Sequence, residues 1–582
     1  MNLSSSEAGA HSGAPKLTCA LVLLILAWVA GSALRFPHRE IKTMHVDETT
    51  QSLKLRDMMD GKYRYDPVDH HGPTLLYATV PLKWFSVVNT WNDLTESRLR
   101  LIPAIFGIGL LALLWLVRDG FSPLELSWGA LAVAVSPLMV FYSRYYIMEM
   151  LLVFFTFAAI GCGWRFYVTR RTAWLAGSGI FLGAMHATKE TCVLHFAAMG
   201  AGLAGLAVVD LFARNGGPGR QGRIRMNLPD RKQLMVLCLS AIASSVVLFS
   251  QFFTRPAGVW DSIATYLKMI GRAGGQGHQR PFWYYLEDLL WGKAISAGPV
   301  KKMEFWDQVA DTFKSLPDLL GLQSSSRMIC GERLMVILAG VGILSAFLPR
   351  RNRTQSPHLL RFLAVYSVAV FFIYSTIAYK TPWCVLGAWH GFLLMAGVGA
   401  AALAGLFNAR SWRIPVMGVL LLGFAQTGLI AWRVTRDPRL VGNTRNPYNY
   451  SMTAPDCLSW VGKISRFAEL SGKGDAMGIL QLDPGGGWPL PWYLARKYRN
   501  YVWEGTTEVP LDQLDVILAT PEFRASLPVE VLGNPGTAPA ERAWFESSMR
   551  LHTSGSLAVF VRRPLWDAYV AGQPWEELTI QK

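Results

Sequence analysis

Charge is scarce in this chain. Only 16% of its 582 residues are Asp, Glu, Lys or Arg, against 51% hydrophobic and 12% aromatic. A soluble globular protein carries roughly 25% charged residues, so the balance predicts an integral membrane protein rather than a large soluble enzyme. Cysteine is sparse too. The seven (Cys19, Cys162, Cys192, Cys238, Cys330, Cys384, Cys457) fall mostly inside apolar runs, with no C-x-x-C pair and no even framework, and read as small core residues. Nucleotide-binding fingerprints are missing: "DPGGGWPLP" is Gly-rich but has neither G-x-G-x-x-G spacing nor a Walker lysine. There is no H-x-x-x-H pair and no convincing internal repeat. The net charge of +16 could signal nucleic-acid binding, but it has a simpler origin if the excess Lys and Arg sit in cytoplasmic loops.

What is present is a series of long apolar runs. A bilayer core of ~30 Å needs ~20 apolar residues per helix, and about eleven segments qualify. They are 17–34, 99–117, 125–142, 147–166, 173–189, 192–213, 234–252, 333–348, 361–379, 384–407 and 414–432. The first lacks the small-residue cleavage site of a secretory signal and predicts a retained anchor after a cytoplasmic tail, residues 1–16.

With that tail inside, alternate short loops carry Arg118, then Arg165, Arg170 and Arg171, then "ARNGGPGRQGRIRMNLPDRK", then "PRRNRTQSPHLLR", then Arg410 and Arg413. Those are the basic loops that the positive-inside rule places in the cytoplasm. The opposite face receives loops 35–98 and 253–332, the turns near Arg144 and Lys380, and residues 433–582. In that tail "DAMGILQLD", "RNYVWEG", "LDVILAT" and "GSLAVFVRR" are strand-like runs between Gly and Pro turns. The expected architecture is a polytopic all-α membrane domain, residues 17–432, followed by an external α/β domain, 433–582.

The chemistry therefore points outward, to the loop holding "TMHVDETTQSLKLRDMMDGKYRYDPVDHHGP". Asp47 and Glu48 lie only a dozen or so residues beyond the first span, near the membrane interface. An acid there suits a general base, which must hold a substrate hydroxyl within hydrogen-bond reach. It equally suits local structure, with Asp47 as N-cap and Glu48 as first-turn partner of the helix "ETTQSLKLRDMM".

Several motifs, taken in order, carry a resemblance. "HVDE" just after the first span, then "DGKY", "HHGPTLLYATVPLKWF", "ESRLRLIPAIFG", "SPLMVFYSRYYIMEMLLVFF", "GAMHATKET" and "GHQRPFWYYL" resemble the membrane glycosyltransferases of the GT-C superfamily. That group includes protein O-mannosyltransferases, lipid A aminoarabinose transferases and RgtA/B/C/D-like enzymes. "AYKTPWC" and "GGWPLPWYLARKY" are similar to a prokaryotic subfamily labelled flippase-activity-associated proteins. The resemblance implies inverting transfer of a sugar from a polyprenyl-phosphate donor to a glycan, lipid or protein acceptor, on the outer face of a bacterial or archaeal cytoplasmic membrane.

It also implies roles. Asp47, with Glu48 beside it, would take the acceptor proton. The leaving phosphate calls for cations, Lys380 and Arg144 first, Lys189 and Arg280 after them. Lys380 between Tyr379 and Trp383 is equally a lysine snorkelling to headgroups. Glu149 would orient substrate or pair with Arg144. His278, Tyr284 and His71 would help bind the donor. His45, His70, His71 and His278 with an acid offer the weaker prospect of a divalent metal, and no definite cofactor is implied. A lipid-linked-sugar flippase, or a non-catalytic accessory subunit, is the alternative reading.

The topology has a direct check. A Thr50→Cys variant in an otherwise cysteine-free, membrane-inserted background is expected to react with an impermeant thiol reagent from outside, and protection there would reverse the orientation.

Overall fold

The computed structural model describes residues 7–68, 71–85, 88–214, 228–273, 279–290, 332–348, 357–406, 409–442, 446–482, 487–503, 509–534, 536–552 and 555–572. All eleven expected apolar segments form helix, and eight helices are long and apolar enough to cross a membrane, among the described residues. The other three are shorter than expected: Pro123–Val135, Thr172–His186 and Arg333–Phe347.

The break after Val135 has a local cause. Proline offers no N–H and disfavours helical geometry in the residue before it, and Ser136 ahead of Pro137 leaves the helix at φ −56°, ψ 121°. A new helix, Pro137–Tyr142, starts at once with the Ser136 hydroxyl as its cap. The orphan N–H of Leu138 is met by the buried Glu332 carboxylate at 2.7 Å, which also accepts from Ser136 Oγ and from Trp389 Nε1. The expected span 125–142 is thus two helices stitched together by an acid from the start of Arg333–Phe347.

The centre of the bundle is packed backbone to backbone. A Cβ on Gly397 would fall 2.2 Å from Gly129 N, and one on Gly342 would fall 1.9 Å from Met395 O. Helices Pro123–Val135 and Arg333–Phe347 therefore press directly on Leu386–Gly405, where close van der Waals packing replaces the hydrophobic drive that lipid cannot supply.

The tail builds a five-stranded sheet in the order β2-β1-β3-β5-β4, with β1 (Ile479–Leu482), β2 (Tyr501–Val502), β3 (Val516–Ala519), β4 (Trp544–Arg550) and β5 (Ser556–Arg562). The strand β1 runs parallel to β2 and β3, while β5 is antiparallel to β3 and β4. Helix Pro455–Leu470 contributes Trp460, Ile464 and Phe467 to a core on one face, and Leu527, Val531 and Trp544 fill the other. Because both faces are covered, β3 reads as an unbroken apolar run, and β1 departs from one only at the buried Gln481, which accepts from the Tyr501 hydroxyl. The strand β4 was not expected; its Glu546, Ser547 and Ser548 sit at the sheet edge and break the apolar pattern.

The segment "WPLPWYL" docks this domain on the first external loop. Trp492 is 1% exposed, meets Trp91 edge-on at 5.7 Å and donates to Glu96 Oε1 at 2.7 Å. Tyr493 Oη accepts from Met44 N, and the Arg496 guanidinium stacks 4.0 Å from the Trp492 ring. Trp492→Ala is expected to cost about 3–5 kcal/mol at this junction, read as early thermal unfolding and faster proteolysis between the last span and the sheet, with a smaller loss for Trp492→Phe.

Candidate functional site

Helix Val46–Met59 carries the acidic pair in its first turn. Its N-cap is His45, not Asp47: Nδ1 of His45 accepts from Asp47 N at 3.1 Å, while the Glu48 carboxylate reaches back to His45 N at 3.1 Å. With Nδ1 accepting, Nε2 carries the proton and donates to Tyr450 O at 2.9 Å. Burial pushes the imidazole below its ordinary pKa, against the opposing pull of Asp47, so His45 is held neutral.

The two acids have opposite surroundings. Glu48 is fully buried and receives both forks of Arg100, each at 2.7 Å, plus the N–H of Tyr146 at 2.9 Å. Burial alone would raise its pKa; the charges of Arg100 and Lys42 and these hydrogen bonds overturn that and hold it well below the usual carboxylate range. Arg100 is the effective partner, since Lys42 Nζ stands off at 3.8 Å. Arg100 also donates to the carbonyls of Arg39, Lys42 and Thr43. The Asp47 side chain, next door, remains 45% exposed. Glu48, expected as a catalytic acid, is thus placed as a structural one.

Near Asp47 gathers a cluster of aromatic and cationic side chains. Trp383 is its centre, with its ring 6.1 Å from His45, 6.0 Å from Tyr145 and 5.6 Å from Tyr450. Arg280 hydrogen-bonds the Tyr450 phenol and stands 5.8 Å from the Tyr284 ring, and the charges of Asp47 and Arg280 both act on that phenol. Tyr284 opens the short helix Tyr284–Leu290 and bonds Asp288.

The other expected residues fall as follows. Glu149 heads its helix and pairs not with Arg144 but with Lys189, Nζ to Oε1 at 2.5 Å. Its Oε2 is buried with no partner among the described residues, beside a narrow cavity that reaches Trp383. Arg144 instead caps the first helix, donating to Leu34 O, Pro37 O and His38 O. Lys380 is 1% exposed and donates to Ile377 O and Arg280 O, clasping the turn that carries Arg280. In this arrangement neither cation faces open space. His71 bonds Glu190 at 3.2 Å, and its neighbour Gly72 pairs with Thr188 O so closely that a Cβ would fall 2.0 Å from Ala187 O. His70 and His278 lie outside the described residues, and among the described residues no three His, Cys, Asp or Glu side chains gather as a metal-ligand set.

Sequence reasoning passed over Arg100, Lys42 and Tyr450. Arg100 had a signal, being an ionisable residue at the head of an apolar run, where an ion needs a buried partner. Lys42 is buried over the Tyr145 ring at 3.4 Å, and burial, with the charges of Arg100 and Arg144, pulls its pKa well down against the pull of Glu48. Tyr450 arrives from the tail, 405 residues after His45, with nothing local to mark it.

The ion pair sets a stability test. Glu48, depressed when folded, contributes fully above its unfolded pKa near 4.5, and that contribution is lost as pH falls below it. Arg100→Gln is expected to cost about 3–5 kcal/mol at neutral pH by leaving a buried charge unpaired, and to shift the acid limb of the unfolding curve to higher pH.

Comparison with known proteins places this geometry. Residues 62–254 match the family described as dolichyl-phosphate-mannose-protein mannosyltransferase. ArnT from Cupriavidus metallidurans, in a crystal structure bound to undecaprenyl phosphate, superposes at a TM-score of 0.52 with 13% identity, covering 95% of this chain and 99% of its own. Its apo structure gives a TM-score of 0.51 at 14% identity, covering 96% and 99%. No curated protein matches the sequence. The chain thus has the fold of the membrane glycosyltransferase ArnT, and its residues 62–254 are similar to the dolichyl-phosphate-mannose-protein mannosyltransferase family.

Proposed function

We propose that the protein is a glycosyltransferase that moves a sugar from a polyprenyl-phosphate donor to an acceptor hydroxyl, with Asp47 as general base. The observation that carries this reading is the division within "HVDE": Glu48 is consumed by Arg100, while Asp47 presents an exposed carboxylate at a helix N-terminus, close to Tyr145 and Tyr450. ArnT was crystallised with undecaprenyl phosphate, and the matching family is named for a dolichyl-phosphate sugar donor.

In the reaction, Asp47 accepts the acceptor O–H proton as that oxygen attacks the anomeric carbon. The carbon–oxygen bond to the phosphate breaks, its electron pair leaves with the prenyl phosphate, and the single displacement inverts the anomeric centre. One carboxylate suffices, because phosphate departs as an anion and needs cations rather than a second acid. Arg280 is the cation best presented, since Arg144 and Lys380 are turned to carbonyls. Trp383 and Tyr450 supply rings on which a sugar can stack. The basic loops at the other end of the bundle support a site on the outer face of the membrane, for which we propose a bacterial or archaeal cytoplasmic membrane. The acceptor is a glycan, lipid or protein hydroxyl.

The test uses purified protein and a panel of prenyl-phosphate sugars. Asp47→Asn is expected to lower kcat by about 10²–10⁴-fold. Its thermal midpoint should hold, because the side chain is solvent-facing. Equal turnover by wild type and variant would remove Asp47 from the chemistry.

A further inference from the structure

Helix Glu149–Thr169 starts beside the candidate site and runs 21 residues, roughly 30 Å, to the opposite end of the bundle. There it borders a cavity unrelated to Asp47, about 490 Å³ in volume, enclosed by helices Thr172–His186, Cys192–Arg214, Arg231–Phe249 and His358–Thr376. Ile160, Trp164, Tyr167, Leu206 and Phe362 form its walls. Two further lining residues, Leu203 and Leu228, are 51% and 64% exposed, so the cavity opens sideways to hydrocarbon. The volume falls within the range of ligand pockets, and a lining so apolar offers water too few partners to fill it.

The mouth is charged. Arg170 ends Glu149–Thr169 in a left-handed cap at φ 59° and donates to the carbonyl of Leu228 at 3.4 Å. Arg171, Arg231 and Lys232 are exposed within a few residues of it, and Arg361 follows the lining residue Leu359. Against these five cations stand Asp210 and Asp230, and Asp230 is occupied as the cap of Arg231–Phe249. An apolar slot of this depth under a cationic rim matches an amphiphile with one hydrocarbon chain inside and an anionic head outside.

We propose that this cavity is a lipid site that takes one acyl chain of an anionic phospholipid, whose phosphate rests on the rim of Arg170, Arg171, Arg231 and Lys232. Two of the lining glycines allow the slot to be filled without disturbing the fold. A Cβ on Gly200 meets nothing within 4 Å, and one on Gly163 meets only Ser178 Oγ at 3.9 Å.

The experiment places the full-length protein in phosphatidylcholine nanodiscs doped with phosphatidylglycerol or phosphatidylcholine bearing a photoreactive acyl chain, and maps adducts by mass spectrometry. The expected result is several-fold more labelling of peptides around 159–167 and 196–206 by the phosphatidylglycerol probe. Unlabelled phosphatidylglycerol should compete it away, Gly163→Phe/Gly200→Phe should lose it several-fold, and Gly200→Ala should retain it. Unchanged labelling of the lipid-facing helix Arg410–Arg436, which does not line the cavity, and an unchanged thermal midpoint report that the filled variant is folded; the probe comparison in wild type stands without it. Equal labelling by the two probes, labelling that survives in the folded filled variant, or competition by undecaprenyl phosphate but not by phosphatidylglycerol would each overturn the proposal.

Discussion

A carboxylate and a guanidinium, both removed from solvent at the edge of the bilayer, organise everything around them: Glu48 and Arg100. Ions in that setting pay heavily for lost hydration unless every lone pair and N–H finds a partner. Arg100 meets that condition by gathering three carbonyls of the 39–43 segment along with the acid, and Glu48 by adding the N–H groups of His45 and Tyr146. The pair therefore joins the first loop, the start of helix Val46–Met59, the head of Leu101–Val117 and the turn before Glu149–Thr169. Such a network is satisfied in one arrangement only, which makes it a register pin as much as a source of stability.

That pin explains why two adjacent acids differ. Successive residues on a helix point about 100° apart, so once Glu48 is drawn inward Asp47 is turned to solvent. His45 then fixes the turn from the other side, through its cap on Asp47 N and its bond to Tyr450 O. A similar logic places the second acid–base pair. Glu149 and Lys189 are held together because Gly72 and His71 strap the first loop onto the 187–190 turn, where no side chain larger than hydrogen would fit at position 72.

Much of this was legible in the amino-acid order. Hydropathy located the apolar helices, because that signal is written in contiguous residues. Three helices came out short for reasons that are local but not hydropathic, as at Ser136–Pro137, where the apolar run continues and the helix does not. The polar strand β4 escaped because it pairs on one side only. Within the candidate site, "HVDE" stood out as an acidic pair, but the different surroundings of its two acids did not, since they depend on Arg100, 52 residues on. Arg144 and Lys380 were read as ions in search of a phosphate; backbone carbonyls at helix and turn ends are equally good partners, and sequence spacing does not distinguish them.

The bond from His45 to the Tyr450 carbonyl has a bearing on how the protein is made. Its two ends are 405 residues apart, and among the described residues every candidate membrane helix after the first lies between them. During synthesis the acidic loop is among the first segments to leave the ribosome, yet the wall that closes it is among the last. The cluster of His45, Trp383 and Tyr450 near Asp47 is therefore assembled only once the final helix is inserted and the sheet domain has settled on the loop, and a chain still being translated has the acid without these neighbours.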